Sequence, residues 1–323
     1  MTNSKRCTML LVLMLIMTMV SPSFAQEQQP YVGIVQLAEH PSLDAAREGF
    51  LAALKDNGYE EGKTIVIDYR NAQGSQDLLS AISDQFVSEQ VDLVLAIATP
   101  AAQAIAGKTD TIPILGSAIT DYVAAGLVKT NEVPGWNVSG TTDMNPVKDQ
   151  IALIKRFLPD AARVGLLYTS SETNSVVQAA MAQTYIEELG MEYVEVTVSN
   201  SNDVQQAAQS LVGRVDAVYI PTDNVMASTV PIISEVLTEA KIPLFCAEES
   251  SVKKGGTATL GINYYNLGYQ TGLMAIDVLK GADISQMTIQ AQTEYEYAVN
   301  KASCDALGLT IPEDLLPYIL PAD

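Results

Sequence analysis

Val91-Asp92-Leu93-Val94-Leu95-Ala96-Ile97-Ala98-Thr99-Pro100 is an apolar run that opens on Val-Asp and stops at a polar turn leading into a helical pattern. Val215-Asp216-Ala217-Val218-Tyr219-Ile220-Pro221-Thr222-Asp223-Asn224 repeats that design. An apolar run of this length reads as a strand buried on both faces, as in a parallel sheet. The echo extends in both directions. Upstream, Val32-Gly33-Ile34-Val35 matches Val164-Gly165-Leu166-Leu167, and the turn at Asn71 to Asp77 matches the one at Ser199 to Asp203. Downstream, Ile112-Pro113-Ile114-Leu115 matches Ile242-Pro243-Leu244-Phe245. One α/β unit is written twice. Ligands of open α/β sheets bind outside the carboxyl ends of the strands, so two facing lobes would set Thr99 and Asp223 on opposite walls of a cleft. The plain alternative is that both only cap helices, as Thr and Asp do in any protein.

Strands alternating with helices through the rest of the chain imply two Rossmann-like lobes, each a parallel sheet flanked by helices with right-handed crossovers. Helix starts are expected with Ser42 and Thr99 as caps, the second followed by Pro100 at the first helical position. The fourth strand is expected over Ile112 to Ser117, followed by a polar loop to Asp121. Crossings between lobes are placed near Asp143, Asn263 and Gln292, forming a three-segment hinge. This gives one lobe from residues 31–142 and 264–291 and a second from residues 143–263 and 292–323.

The chain has 323 residues, enough for roughly two domains of ~150. Lys5 and Arg6, the apolar stretch Thr8 to Val20 and Ser23-Phe24-Ala25 read as a signal peptide over residues 1–25, cleaved after Ala25. Cys7 precedes the apolar core, so it is misplaced for a lipoprotein cysteine and leaves with the leader. A periplasmic, soluble protein is expected. Cys246 and Cys304 lack a framework spacing and read as separate buried thiols. The net charge is −20 at pH 7, and two units more negative without the leader. That excludes the basic footprint nucleic acid requires and favours a soluble monomer.

Several quoted segments, taken in order, resemble one family: Tyr31 to Val35, Asp44 to Phe50, Ala98 to Gln103, Val218 to Asn224 and Leu267 to Gly272. They look like the bacterial ABC-transporter substrate-binding proteins of the tryptophan/tyrosine-uptake-like group. The resemblance runs over nearly all of the mature chain. It implies a type I periplasmic-binding-protein fold, a partner permease with its ATPase, no chemistry, and in some relatives an aromatic amino acid as ligand.

The residues agree with a binder rather than a catalyst. His40 is the only histidine. No HExxH, Cys-x-x-Cys or phosphate-loop pattern is present, so no metal or cofactor is expected. An amino-acid cleft needs hydroxyls and helix N-termini for the carboxylate, an acid for the ammonium, and an apolar or aromatic wall. Ser42, Thr99, Ser170 and Ser171 are candidate carboxylate donors. Asp223 is the first candidate for the ammonium, with Asp143 and Glu248 behind it and Asp121 on the opposite wall. Tyr168, Tyr264 and His40 are candidate ring contacts. Asn224 and Asn263 are included as helix-start and hinge positions. A sensory ligand-binding protein, an exported enzyme and a repressor of the same core are the competing classes. The export signal, the acidic charge and the missing DNA-binding helix pair argue against the repressor.

Overall fold

The computed structural model describes residues 29–321. The signal-peptide reading, with Lys5, Arg6, Cys7 and the cleavage point at Ala25, lies outside them.

Twelve strands form two sheets. The first contains β1 (Tyr31–Gln36), β2 (Val66–Asn71), β3 (Leu93–Ile97), β4 (Ile114–Ile119), β5 (Val138–Thr142) and β11 (Gln290–Ala291). The second contains β6 (Arg163–Thr169), β7 (Glu192–Val198), β8 (Ala217–Ile220), β9 (Leu244–Cys246), β10 (Ala258–Gly261) and β12 (Glu296–Val299). Their orders, β11-β5-β4-β3-β1-β2 and β12-β10-β9-β8-β6-β7, are the same permutation shifted by one repeat. All pairings are parallel except β10 with β12. The central strands β3 and β8 are buried at every residue, as expected for strands covered on both faces.

Two side-chain devices explain why the repeat is visible in sequence. Asp92 Oδ2 accepts the Tyr31 N–H at 2.8 Å, tying the start of β3 to that of β1. Asp216 Oδ2 does the same for the N–H groups of Ala162 and Arg163, both at 2.8 Å. The Val-Asp pair is thus a strand clamp used once per lobe. Gly33 and Gly165 are the second device. A Cβ at Gly33 would strike the Phe86 ring, and one at Gly165 would meet the Leu211 methyls. Each glycine lets a helix side chain press onto the strand.

The helices cover both faces of each sheet. In the first lobe these are α1 (Pro41–Asp56), α2 (Gln76–Glu89), α3 (Thr99–Ala106) and α9 (Tyr264–Leu279). In the second they are α4 (Val147–Phe157), α5 (Thr173–Glu188), α6 (Val204–Leu211), α7 (Asn224–Glu239), the short α8 (Glu249–Lys253) and α10 (Lys301–Leu307). α1 and α9 form the most intimate helix pair. A Cβ at Gly268 would fall on the Ala46 carbonyl, and one at Gly49 on that of Tyr265. Only glycine permits backbones this close.

The chain passes between the sheets three times: after β5, between β10 and α9, and between β11 and β12. Asp143, Asn263 and Gln292 lie in these passages. Gln292 Nε2 donates to the Asn263 carbonyl at 2.7 Å and its Oε1 accepts the Asn263 N–H at 3.2 Å, so two crossings are bonded side by side.

Three local expectations change. β4 continues past Ser117 to Ile119, with a register shift against β5 and Ala118 at φ 57°. α1 starts at Pro41 with His40 as its N-cap residue, so Ser42 lies inside the first turn and its hydroxyl is free to leave the helix. α3 starts at Thr99 itself, and Ala98 occupies the cap position without a side-chain bond. Cys246 and Cys304 are both free and buried.

Candidate ligand-binding site

The carboxyl ends of the two sheets face each other, and the cleft between them is closed over by direct contacts. From α1, Ser42 Oγ donates to Glu248 Oε2 at 2.5 Å and lies 2.8 Å from Ser250 Oγ. His40 Nε2 lies 3.3 Å from Asn224 Oδ1 at the start of α7. At the mouth the two echo turns meet. Gln73 and Gly74 of the first lobe and Ser199, Asn200 and Ser201 of the second line a space of about 280 Å³ that Ser171 and Glu172 also border. A larger surface groove of about 580 Å³, beside Trp136 and Asp283, shares no residue with the cleft.

The two walls differ in chemistry. The first lobe presents neutral groups: His40, Ser42, Thr99 and Thr120, all 3% exposed or less. The other wall and the crossing after β5 present four carboxylates, Asp143, Glu172, Asp223 and Glu248, exposed by 1%, 5%, 1% and 4%. None is ion-paired to a lysine or arginine among the described residues. Removal from water penalises the charged form. Burial lifts Asp143 to about 6. It lifts Glu248 to about 7, and Glu172 to about 7 with help from the charge of Asp223. Asp223 is also raised, again chiefly by burial. Burial holds the His40 imidazole down at about 4, so it is neutral.

Hydrogen bonds fix each acid. Asp143 accepts from Thr120 Oγ1 at 2.8 Å and from the Tyr264 hydroxyl at 3.1 Å. Asp223 accepts from Thr169 N (2.6 Å), Thr169 Oγ1 (2.9 Å) and Met226 N (2.8 Å), capping α7 and pinning the end of β6. Glu172 Oε2 accepts from Asn174 Nδ2 (3.0 Å), Asn224 N (3.2 Å) and Asn224 Nδ2 (2.6 Å). The second oxygens of Glu172 and Glu248 have no protein donor among the described residues. Four buried polar atoms around the cleft also lack a partner: His40 Nδ1, Thr99 Oγ1, Asn145 Oδ1 and Asn174 Oδ1.

Of the sequence candidates, the structure gathers His40, Ser42, Thr99, Asp143, Asp223, Asn224, Glu248 and Tyr264 as buried groups around the lobe interface. Others are engaged elsewhere. Asp121 closes its own turn by accepting from Val123 N and Ala124 N. The Tyr168 hydroxyl donates to Glu195 at 2.6 Å, and Ser170 Oγ to the Val198 carbonyl at 3.2 Å. Ser171 stays at the mouth. Asn263 caps α9 through Asn266 N. Glu172, Asn174 and Asn145 are buried here as well and are not among the sequence candidates. Glu172 immediately precedes a helix, which is the one signal its sequence position offers.

Two sheets of identical order, a three-strand hinge and a polar cleft closed by bonds between lobes define a two-lobed solute-binding protein. Residues 31–320 match the family model of the ABC transporter substrate binding protein. The chain belongs to that family. It is 43% identical over 294 residues to a tyrosine-binding protein of Clostridioides difficile (strain R20291), covering 91% of this chain and 85% of the relative. Among solved structures it superposes with a TM-score of 0.88 on an ABC domain in complex with L-Trp from Streptococcus pneumonia. That match is 34% identical and covers 90% of this chain and all of the other. The ligand-free, open structure of a substrate binding protein with adhesive properties from Clostridium difficile is 44% identical, with coverage of 91% and 100%, yet gives a TM-score of 0.71. The open structure, though more similar in sequence, thus superposes less well than the ligand-bound one. More distant binding proteins, such as one from Bacillus halodurans at 14% identity and TM-score 0.64, share the fold.

Proposed function

We propose that the protein is the extracytoplasmic receptor of an ABC importer and closes its lobes on an aromatic amino acid. It hands this ligand to a membrane permease driven by an ATPase and carries out no chemistry on it. The observation that carries this reading is the set of four buried carboxylates facing a neutral wall, none ion-paired to a lysine or arginine among the described residues. A ligand ammonium supplies the missing positive charge, and the free oxygens of Glu172 and Glu248 are the acceptors open to it. Thr99, whose buried hydroxyl is unpartnered at the start of α3, offers a donor to the ligand carboxylate. The ligands named for the similar tyrosine-binding and L-Trp-bound proteins support the aromatic class.

In this reading residues 31–142 and 264–291 move as one lobe against residues 143–263 and 292–323. Closure follows from tighter binding of ligand to the closed than to the open form. No helix among the described residues is long and apolar enough to cross a membrane. In this reading the leader, residues 1–25, is removed and the exported protein acts as a monomer. The test is calorimetric titration of unfolded, dialysed and refolded protein. Saturable binding of Trp, Tyr or Phe is expected. Binding of a sugar or an aliphatic amino acid, with none to these three, would overturn the reading.

A further inference from the structure

His40 is the N-cap residue of α1, yet its ring makes no bond to the helix. Its Nε2 faces Asn224 Oδ1 across the cleft. The direction of that bond follows from Glu172. A backbone N–H can only donate, so Glu172 Oε2 accepts from Asn224 N, and in the ionised carboxylate, the form that receives the ligand ammonium, it can do nothing but accept. The same oxygen lies 2.6 Å from the Asn224 side chain, which must therefore present its NH2 there. The amide oxygen is left pointing at His40. Nε2 must then carry the ring proton, and Nδ1 of the neutral ring is a bare lone pair. That atom is buried and has no partner. Asn174 is locked in the same sense. Its NH2 is held by Glu172 Oε2 and the Thr222 carbonyl, both at 3.0 Å, while Oδ1 is buried and unpaired. Glu172 thus fixes two neighbouring side chains so that each shows the interior a hydrogen-bond acceptor.

We propose that His40 Nδ1, oriented through Asn224 by Glu172, reads a neutral donor on the ligand's side chain, the N–H of an indole or the O–H of a phenol. A charge-assisted bond is about twice as strong as a neutral one, so the ligand ammonium goes to the free carboxylate oxygens and leaves the imidazole lone pair to the ring. The cleft then discriminates tryptophan or tyrosine from phenylalanine. Phenylalanine offers a ring without that donor and leaves a buried acceptor unpaired, which weakens binding about ten- to a hundredfold. His40 is a specificity residue in this scheme, and Glu172 and Asn224 are positioning residues. The proposal rests on the aromatic amino-acid reading above.

The sole histidine makes the test direct. In refolded, ¹⁵N-labelled protein without a histidine tag, a long-range proton–nitrogen spectrum of the imidazole shows one ring. The Nε2–H tautomer is expected with and without ligand. The Nδ1 resonance should move on saturation with tryptophan or tyrosine, whichever binds tighter, and stay in place with phenylalanine. Titrations alongside should rank phenylalanine about ten- to a hundredfold weaker, with the gap closing to about threefold or less in His40→Leu. Three results overturn the proposal alone: an Nδ1–H tautomer, an Nδ1 resonance unmoved by bound tryptophan or tyrosine, or equal affinity for all three amino acids. Failure of all three to bind removes the aromatic reading, and this proposal with it.

Discussion

The turn after β3 and the turn after β8 occupy the same place in the two repeats, and they have been put to opposite uses. After β8, Asp223 adopts an ordinary extended conformation (φ −151°) and caps a 16-residue helix. It fills its carboxylate with three donors from its own lobe. After β3, Ala98 holds φ 83° and ψ 151°, a region that suits glycine, and the 8-residue helix has no side-chain cap. The hydroxyl of Thr99 is buried and unpaired. One copy is closed on itself and the other is held ready for a partner. Strain and unsatisfied groups collect where a fold is shaped for binding rather than for its own stability.

The largest test of that contrast is Asp223→Ala in ligand-free protein. It removes a helix cap and strands three buried donors, so urea unfolding should show a loss of about 3 kcal/mol. A loss below about 1 kcal/mol would mean the turn is not the self-contained support described here. Next is pH. Asp143, Glu172 and Glu248 titrate near 6 to 7 in the folded protein, above their ordinary values of 3.8 to 4.5. The folded state therefore holds more protons than the unfolded one in this window, and stability falls as pH rises through it. His40, held at about 4 against 6.5, acts in the opposite direction, but three groups outweigh one. The Tm of ligand-free protein should rise by several degrees between pH 7.5 and pH 5, and saturating ligand should flatten the slope by keeping its carboxylate partner ionised. A Tm that falls on acidification over this range contradicts the acidic-wall account.

Thr99→Val tests the open turn. Replacing an unpaired hydroxyl by a methyl should leave ligand-free stability unchanged within about 0.5 kcal/mol, while affinity falls about tenfold. Equal affinity would take Thr99 out of the site. The smallest effect is expected from Ala98→Gly. Relief of backbone strain outweighs the added chain entropy, giving a gain of about 1 kcal/mol, and no gain would show that the conformation is not strained.

The duplicated architecture was legible because it is carried by residues with one obvious job each. Val-Asp marks the strand clamp, the glycines at 33 and 165 mark helix contact, and apolar runs mark the sheet centres. The site was less legible because the same residue types serve as caps and as ligand groups. Ser42 reads as a cap, though Pro41 at the first helical position moves the cap to His40. Asp223 reads identically as a cap or an ammonium partner, and only its three in-lobe donors show how its oxygens are occupied. Glu172 is distinguished by burial, which depends on α5 and α7 meeting, and no local pattern reports that.

The return of α9 to the first lobe has a consequence for the order in which the molecule is made. Helix α1 belongs to the first strand-helix unit, but the surface it packs on, at Gly268 and Gly272, is more than two hundred residues later in the chain. By the time those glycines are synthesised, β6 to β10 are complete. The amino-terminal lobe thus cannot close its core until most of the second lobe has been made, and the second lobe closes only when β12 and α10 follow. A growing chain shortened before residue 264 would carry β1 to β5 with the part of the face that α9 covers, over β4 and β5, left bare, a form prone to stick to its neighbours.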